Sequence, residues 1–264
     1  MFEPRTFQPF GPRGPKVMVF GRPANWSMNR LQKEGDHQSE TGLYFRLCRL
    51  GEEYHFPQLL APSPVEFNTK ICTLEDLGVR IQNGACSVTI HRGYNADGVL
   101  LRHGQVGAIP TADCPTIVAY CQTTRQAIMA HAGLGSLVDL AHLKGGQPLR
   151  EHWSVVDALM QKSLDLGFLT TQVFVTCGIK EYQHRDLAPL LIRYYPDTRI
   201  VEGSYVDLRL LIREQFAAHN IYTVTYDGID TYHDRFHGQF MWHSYRRDRT
   251  PERNLVLVLN NSFL

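Results

Sequence analysis

Two short apolar runs joined by a polar connection constrain the fold more than any other feature of this sequence. The runs cover residues 116–120 and 126–130, and residues 122–125 between them read Gln-Thr-Thr-Arg. Apolar runs of this length, separated by a few polar residues, are typical of a β-hairpin. The sequence therefore predicts an antiparallel pair of strands in the middle of the chain.

Strand and helix patterns alternate through the rest of the sequence. Further elements are predicted at residues 17–20, 151–166, 172–176, 204–219, 221–226 and 255–259. In the first predicted helix the apolar side chains fall on one face. Ser204 and Asp207 have the spacing of a capping box for the second helix. Hairpins mixed with strand–helix–strand units predict an α/β fold, with a central mixed β-sheet flanked by helices.

Proline and glycine positions divide the chain. Residues 1–16 hold four prolines and two glycines, which indicates a flexible arm. No second linker follows, so residues 17–264 are predicted to form a single catalytic domain. A chain of 264 residues is long enough to bury a large core.

Charge and cysteine content exclude several classes of partner. The net charge is +1 and the 27 Lys and Arg residues are scattered, which argues against nucleic acid and favours a small polar substrate. No apolar run reaches the roughly 18 residues of a membrane helix, so no membrane partner is expected. The six cysteines are too dilute for a disulfide framework, and they predict reduced thiols in a cytoplasmic protein.

Cys114 and His131 stand at the two open ends of the predicted hairpin. A hairpin returns the chain beside its own start, so their side chains are expected to lie close together. A neighbouring imidazole makes a thiol a nucleophile or a metal ligand. Gly133 and Gly135 follow, and Ser136 is a candidate helix cap. The alternative is a buried cysteine and a turn histidine that never meet.

The words around this pair resemble a known family. Thr-Ala-Asp-Cys at 111–114, followed 17 residues later by His-Ala-Gly at 131–133, is similar to the laccase-domain, or polyphenol-oxidase-like, proteins. Asn-Ala-Asp-Gly-Val-Leu at 95–100, Val-Asp-Leu at 206–208 and Ser-Tyr-Arg-Arg-Asp at 244–248 also match family words. The resemblance covers about residues 95–260. Members of this family have been associated with purine nucleoside phosphorylase activity.

The resemblance implies a zinc ion bound by His, Cys and His. Two of these ligands correspond to Cys114 and His131. Three protein ligands leave one position of a catalytic zinc open for water or substrate. The implied function is zinc-dependent cleavage or transfer at a C–N bond of a small polar substrate, most simply the phosphorolysis of a purine nucleoside, with nucleoside and phosphate as ligands. Gly133, Tyr245 and Arg246 are the predicted substrate-binding residues.

Departures from the family pattern leave the third ligand open. The first histidine of the family has no counterpart here, and Cys72, 42 residues before Cys114, is the predicted substitute. His91 is the other candidate. The family word His-Ala-Gly-Trp-Arg-Gly appears as His-Ala-Gly-Leu-Gly-Ser at 131–136, without the tryptophan or the phosphate-binding arginine.

Two alternatives use the same residues. The family fold is similar to that of bacterial toxin deamidases with a Cys–His pair. On that model Cys114 is a covalent nucleophile, His131 is its base, and backbone N–H groups near Gly133 bind the oxyanion, which makes the chain a metal-free cysteine hydrolase, deamidase or acyl transferase. The other alternative is a catalytically inactive relative kept for binding.

Overall fold

The structure, a computed structural model, describes residues 3–27, 42–63, 67–82, 88–168, 170–196 and 199–260. The described strands are β1 (Arg5–Phe7), β2 (Lys16–Phe20), β3 (Gln58–Ser63), β4 (Ile71–Cys72), β5 (Val79–Ile81), β6 (Thr89–Asn95), β7 (Gly98–Leu101), β8 (Gln105–Thr111), β9 (Thr116–Cys121), β10 (Gln126–His131), β11 (Gln172–Thr176), β12 (Tyr182–Gln183), β13 (Val201–Glu202), β14 (Tyr205–Val206), β15 (Val224–Tyr226), β16 (Arg235–Phe236), β17 (Gln239–Phe240) and β18 (Asn254–Asn260). The described α-helices are α1 (Leu43–Glu53), α2 (Leu134–Leu137), α3 (Leu140–Leu143), α4 (Val155–Asp165), α5 (Ala188–Tyr194), α6 (Leu208–Ala218) and α7 (Tyr245–Asp248).

Most strands belong to two mixed sheets. The first sheet has the order β1-β2-β18-β8-β3-β6-β5, and the second has the order β15-β11-β9-β10-β7-β4. In the first, β3 runs parallel to both of its neighbours, whereas β18 is antiparallel to both of its own. In the second, β9 and β10 form an antiparallel hairpin. A small sheet, β12-β14-β13, and the β16–β17 hairpin complete the strands.

Alternation along the strands divides the buried side chains into layers. Val256 and Val258 of β18 face the second sheet and share a cluster with Met129 of β10. The intervening Leu257 points the other way and packs with Leu47 of α1. Helices α2, α4 and α6 cover the far side of the second sheet. Because successive strand residues point to opposite faces, the result is a helix–sheet–sheet–helix stack.

The predicted fold class is confirmed: the chain is an α/β domain of mixed sheets flanked by helices. The hairpin lies where predicted, with His131 opposite Thr116. The difference is that two sheets stack where one central sheet was expected. In the described part of the chain, no helix is long and apolar enough to cross a membrane.

Local structure corrects three expectations. Arg5–Phe7 of the predicted arm forms an edge strand paired with β2, because the apolar side chain of Phe7 packs against the core. Asp207, and not Ser204, caps α6, since its carboxylate accepts from the N–H groups of the first turn. Likewise Gly133 is the N-cap of α2, and Ser136 lies inside that helix.

The prediction of six reduced thiols is wrong for Cys48, which is disulfide-bonded. Cys48 lies on α1, which packs against the first sheet. Four other cysteines are free: Cys72, Cys114, Cys121 and Cys177. Cys86 lies outside the described residues.

Candidate active site

The hairpin of β9 and β10 brings Cys114 and His131 together. His131 ends β10 opposite the first residue of β9, two positions after Cys114. A Cβ atom at Gly133 would lie 2.9 Å from Sγ of Cys114 and 2.9 Å from Cε1 of His131. Those two atoms are therefore no farther apart than twice that distance. A thiol and an imidazole at this separation can exchange a proton after a small side-chain movement.

Burial keeps both members of the pair neutral at rest. Cys114 is half-buried, and desolvation by the surrounding protein, with the Asp113 carboxylate, raises the pKa of its thiol to about 12. Burial, with the positive charge of Arg253, lowers the pKa of His131 to about 4. The resting pair is a thiol beside a neutral imidazole, whose unprotonated nitrogen can serve as a base.

Asp113 fixes the strand end that carries the cysteine. Its buried carboxylate accepts a hydrogen bond from the Thr231 hydroxyl at 2.8 Å and from the backbone N–H of Arg246 at 2.7 Å. Its φ of 86° is in the left-handed region, which few side chains other than Asp and Asn adopt without cost. The two bonds hold this conformation and join the Cys114 end of the sheet to the segment at 230–248.

His131 is held on two sides. The Phe67 ring stacks on the imidazole, with ring centroids 5.9 Å apart and an angle of 20° between the planes. Ser136 Oγ lies 3.3 Å from Nδ1 of His131. Arg150 donates to the carbonyl oxygens of Phe67 and Gly135, at 2.7 and 2.6 Å, and so ties the Phe67 loop to α2. The imidazole is therefore oriented by neighbours from two separate parts of the chain.

The zinc site implied by the resemblance is not assembled from its predicted ligands. Among the described residues, no group of three or more His, Cys, Asp or Glu side chains could hold a metal ion. Cys72, on β4, is buried in the cluster between the two sheets, and burial raises the pKa of its thiol to about 12. His91 lies on β6 of the first sheet. Cys114 and His131 supply two ligands where a catalytic zinc takes three from the protein, so these residues do not fit the ion.

An open recess adjoins the cysteine. It has a volume of about 550 Å³ and is lined by three tyrosines, two arginines and four other side chains: Tyr182, Tyr205, Tyr232, Arg246, Arg249, Ile179, Glu181, Gln183 and His233. Two of its lining residues, Ile179 and Arg246, donate backbone hydrogen bonds to Asp113, the residue before Cys114, at 2.8 and 2.7 Å. Burial, with the Cys114 side chain, raises the pKa of Tyr182. Arg246 lies over the Tyr182 ring, 4.5 Å from its centroid. Aromatic faces beside fixed cations suit a small planar or anionic ligand.

The three predicted substrate-binding residues lie in three different places. Arg246 lines the recess, and Gly133 lies between the thiol and the imidazole. Tyr245 is half exposed and is not among the lining residues; its ring faces Arg249 and Arg253 instead. This follows from α7, since consecutive helical residues point in different directions.

Several site residues were not predicted from the sequence. Phe67 gave no signal, because the loop that carries it is far from the pair in the sequence. Asp97 lies inside the family-like stretch at 95–100, but a single acidic residue next to an apolar run does not by itself indicate a role in a site. Tyr182 and Tyr205 belong to strands of two residues, which are too short to show a periodicity.

The fold and the pair define the class: a layered α/β protein in which a half-buried cysteine and a buried histidine meet at the open end of a central hairpin. No protein-family model and no curated protein matches the sequence. Solved structures do match. A Neisseria meningitidis protein, NMB0706, described as belonging to family DUF152, has a TM-score of 0.63 and 15% identity over 97% of this chain and 98% of its own.

Two further bacterial structures agree with this match. YlmD from Geobacillus stearothermophilus gives a TM-score of 0.63 and 17% identity over 94% of this chain and 93% of its own. The Bacillus licheniformis hypothetical protein YfiH gives 0.62 and 13% over 92% of both chains. At these identities the likeness establishes the fold, and at that level it agrees with the family resemblance seen in the sequence.

Proposed function

We propose that the chain is an enzyme that cleaves or transfers at a C–N bond of a small polar substrate, with Cys114 as nucleophile and His131 as its base. The observation that carries the proposal is the position of the thiol and the imidazole on either side of Gly133. Asp113, the residue before Cys114, accepts hydrogen bonds from the backbone N–H groups of Ile179 and Arg246, which line an open recess. The alternatives implied by the sequence are a zinc-dependent nucleoside phosphorylase and an inactive binding relative. The missing third ligand argues against the first.

The reaction on an amide substrate follows from the neutral pair. As Sγ of Cys114 attacks the carbonyl carbon, its proton passes to the unprotonated nitrogen of His131. The C–N bond then breaks, and the imidazolium returns the proton to the leaving nitrogen, so that a thioester and an amine or ammonia are formed. Water, deprotonated by the same imidazole, hydrolyses the thioester and restores the thiol.

The recess supports a substrate that carries a planar or charged group. Tyr182 and Tyr232 offer ring faces, and Arg246 offers a guanidinium that lies over the Tyr182 ring. Its volume of about 550 Å³ is within the range of about 300–1,000 Å³ that small-molecule sites occupy. A purine nucleoside is compatible with these contacts, and so is a carboxamide attached to a ring. Both therefore belong in the test.

A substrate panel tests the proposal. Purified protein is incubated with purine nucleosides in phosphate and, separately, with primary and ring-linked amides without phosphate, and ammonia and free base are measured. Cys114→Ala and His131→Ala are compared with Cys121→Ala, which removes another buried thiol from the same hairpin. We expect phosphate-independent C–N cleavage that is lost in the first two variants and kept in the third.

Metal analysis of the same preparation separates the alternatives. Phosphate-dependent release of a base by protein containing one zinc ion per chain would replace the thiol mechanism with the zinc-dependent one. If no compound of the panel is turned over and Cys114 does not react with alkylating agents, the inactive relative is the remaining reading. Localisation in the cytoplasm, expected from six reduced thiols, stays a prediction, and the disulfide at Cys48 removes part of its basis.

A further inference from the structure

A hydrogen-bonded chain runs away from the pair on the far side of the imidazole. Ser136 Oγ lies 3.3 Å from Nδ1 of His131 and donates to Oδ1 of Asp97 at 3.1 Å. The other carboxylate oxygen of Asp97 accepts the backbone N–H of Thr69 at 2.8 Å. Asp97 and Ser136 have no exposed surface, and His131 is 7% exposed. Water therefore does not compete for these bonds.

The number of protons in this chain fixes its direction. Burial raises the pKa of Asp97, whereas the Thr69 N–H, the Ser136 hydroxyl and the charge of Arg150 favour its ionised form. An ionised carboxylate only accepts hydrogen bonds, and a serine hydroxyl has a single proton to donate. Since that proton goes to Asp97, Ser136 Oγ can only accept from His131. Nδ1 of His131 must then carry the imidazole proton. The other ring nitrogen, Nε2, is left unprotonated, and it lies on the Gly133 side, where a Cβ would be 3.5 Å from it.

We propose that Asp97 and Ser136 are positioning residues that set the tautomer of His131, so that Nε2 faces the Cys114 thiol as a base. The proposal deepens the proposed function and rests on it for its catalytic meaning. Neither residue contacts the sulfur; both act through the imidazole, as the buried carboxylate does for the histidine of a serine protease. The serine is a feature of this chain, because the family word similar to residues 131–136 ends in glycine at that position.

Two substitutions have different expected effects on the His131 tautomer: one imposes the other tautomer, and one imposes neither. In Asp97→Asn the amide oxygen accepts from Thr69, so the amide NH₂ faces Ser136 and donates to its oxygen. The hydroxyl proton then turns to Nδ1, and the imidazole proton moves to Nε2. In Ser136→Ala the chain is cut, and neither tautomer is imposed. Ser163→Ala is the matched control, because its hydroxyl is equally buried but donates to a carbonyl within α4.

The tautomer is read directly by long-range ¹H–¹⁵N correlation spectra of protein labelled in its 12 histidines, with His131 assigned from a His131→Gln variant. We expect the proton on Nδ1 in the unaltered protein and in Ser163→Ala, on Nε2 in Asp97→Asn, and shared between the two in Ser136→Ala. A proton on Nε2 in the unaltered protein would overturn the proposal, and so would an unchanged tautomer in Ser136→Ala. If Asp97→Asn does not fold, Ser136→Ala decides.

Kinetics provide the second readout. We expect kcat to fall about tenfold in Ser136→Ala, the effect of one ordinary hydrogen bond, and by about 100-fold or more in Asp97→Asn, where the base is blocked by a proton. KM is expected to stay unchanged, because neither residue lines the recess. The spectra need no substrate. If the protein turns over no compound of the panel, the proposed function is refuted, and the His131 tautomer can still be measured.

Discussion

Adding one methyl group at Gly133 separates Cys114 from His131 while both residues themselves stay unaltered. In Gly133→Ala the new Cβ would lie 2.9 Å from Sγ of Cys114 and from Cε1 of His131. Ordinary contacts between such atoms are about 3.5–4.0 Å, so each partner has to retreat by roughly 0.6–1.1 Å. The backbone does not oppose the change, because Gly133 has a φ of −69°, which alanine adopts freely.

The expected outcome is a large loss of activity with a moderate loss of stability. A displacement of about 1 Å between reacting groups costs about 100-fold in rate. Overpacking a buried site costs about 1–3 kcal/mol in the free energy of unfolding. We therefore expect kcat/KM on the substrate found in the panel to fall about 100-fold, while urea denaturation still gives a folded, cooperative protein.

The matched control is Gly78→Ala, where a Cβ meets nothing within 4 Å, and its activity is expected to stay unchanged. Activity of Gly133→Ala within threefold of the unaltered protein, in a folded variant, would refute the reasoning. It would mean that the thiol and the imidazole do not react across this glycine.

Three other predictions concern the metal, the pH and the recess. Phe67→His is expected to place a third ligand beside the cysteine–histidine pair, so that this variant binds cobalt and shows a thiolate charge-transfer band. The control is Phe45→His, at a phenylalanine with the same 40% exposure, which is not expected to bind the metal. Equal cobalt binding by both variants would contradict this. Burial lowers the pKa of His131 from 6.5 to about 4, so the unfolded protein binds this proton at a higher pH than the folded protein does. The free energy of unfolding is therefore expected to drop by about 3 kcal/mol between about pH 6.5 and 4. Urea titrations of His131→Gln should not show this drop. Tyr205→Ala is expected to raise KM about fivefold, by loss of one aromatic contact, with an unchanged melting temperature; Tyr222→Ala, at an exposed tyrosine outside the recess, should leave KM unaltered.

Local patterns predicted the hairpin and its two end residues correctly, because a short polar connection between apolar runs leaves few alternatives. The neighbours of His131 depend on contacts that no local pattern encodes. Phe67 reaches the imidazole from a loop before β4. Asp97, in the turn between β6 and β7, accepts from the Ser136 hydroxyl, which contacts the imidazole. Ser136 is only five residues from His131, but the sequence predicts it as a helix cap. The observed cap of α2 is Gly133, three residues earlier, so Ser136 lies inside the helix.

The prediction of Cys72 as third zinc ligand shows that similarity of a short sequence motif does not fix the direction of a side chain. Its spacing from Cys114 resembled that of the family histidine, but residues of a strand point alternately to its two faces. Cys72 faces the core between the sheets, together with Met129. The fold class survived such local errors, because it depends on the order of strands and helices and not on where any one side chain points.

A double-mutant cycle on Cys114 and His131 tests most directly whether the two side chains act as one unit. The quantity to measure is kcat/KM for both single alanine variants and for the double variant, on the compound that the panel identifies. Residues that act as a unit give strongly non-additive losses, so the double variant is expected to be no slower than the slower single variant. Losses that multiply would contradict the account, because each side chain would then contribute to the rate independently of the other.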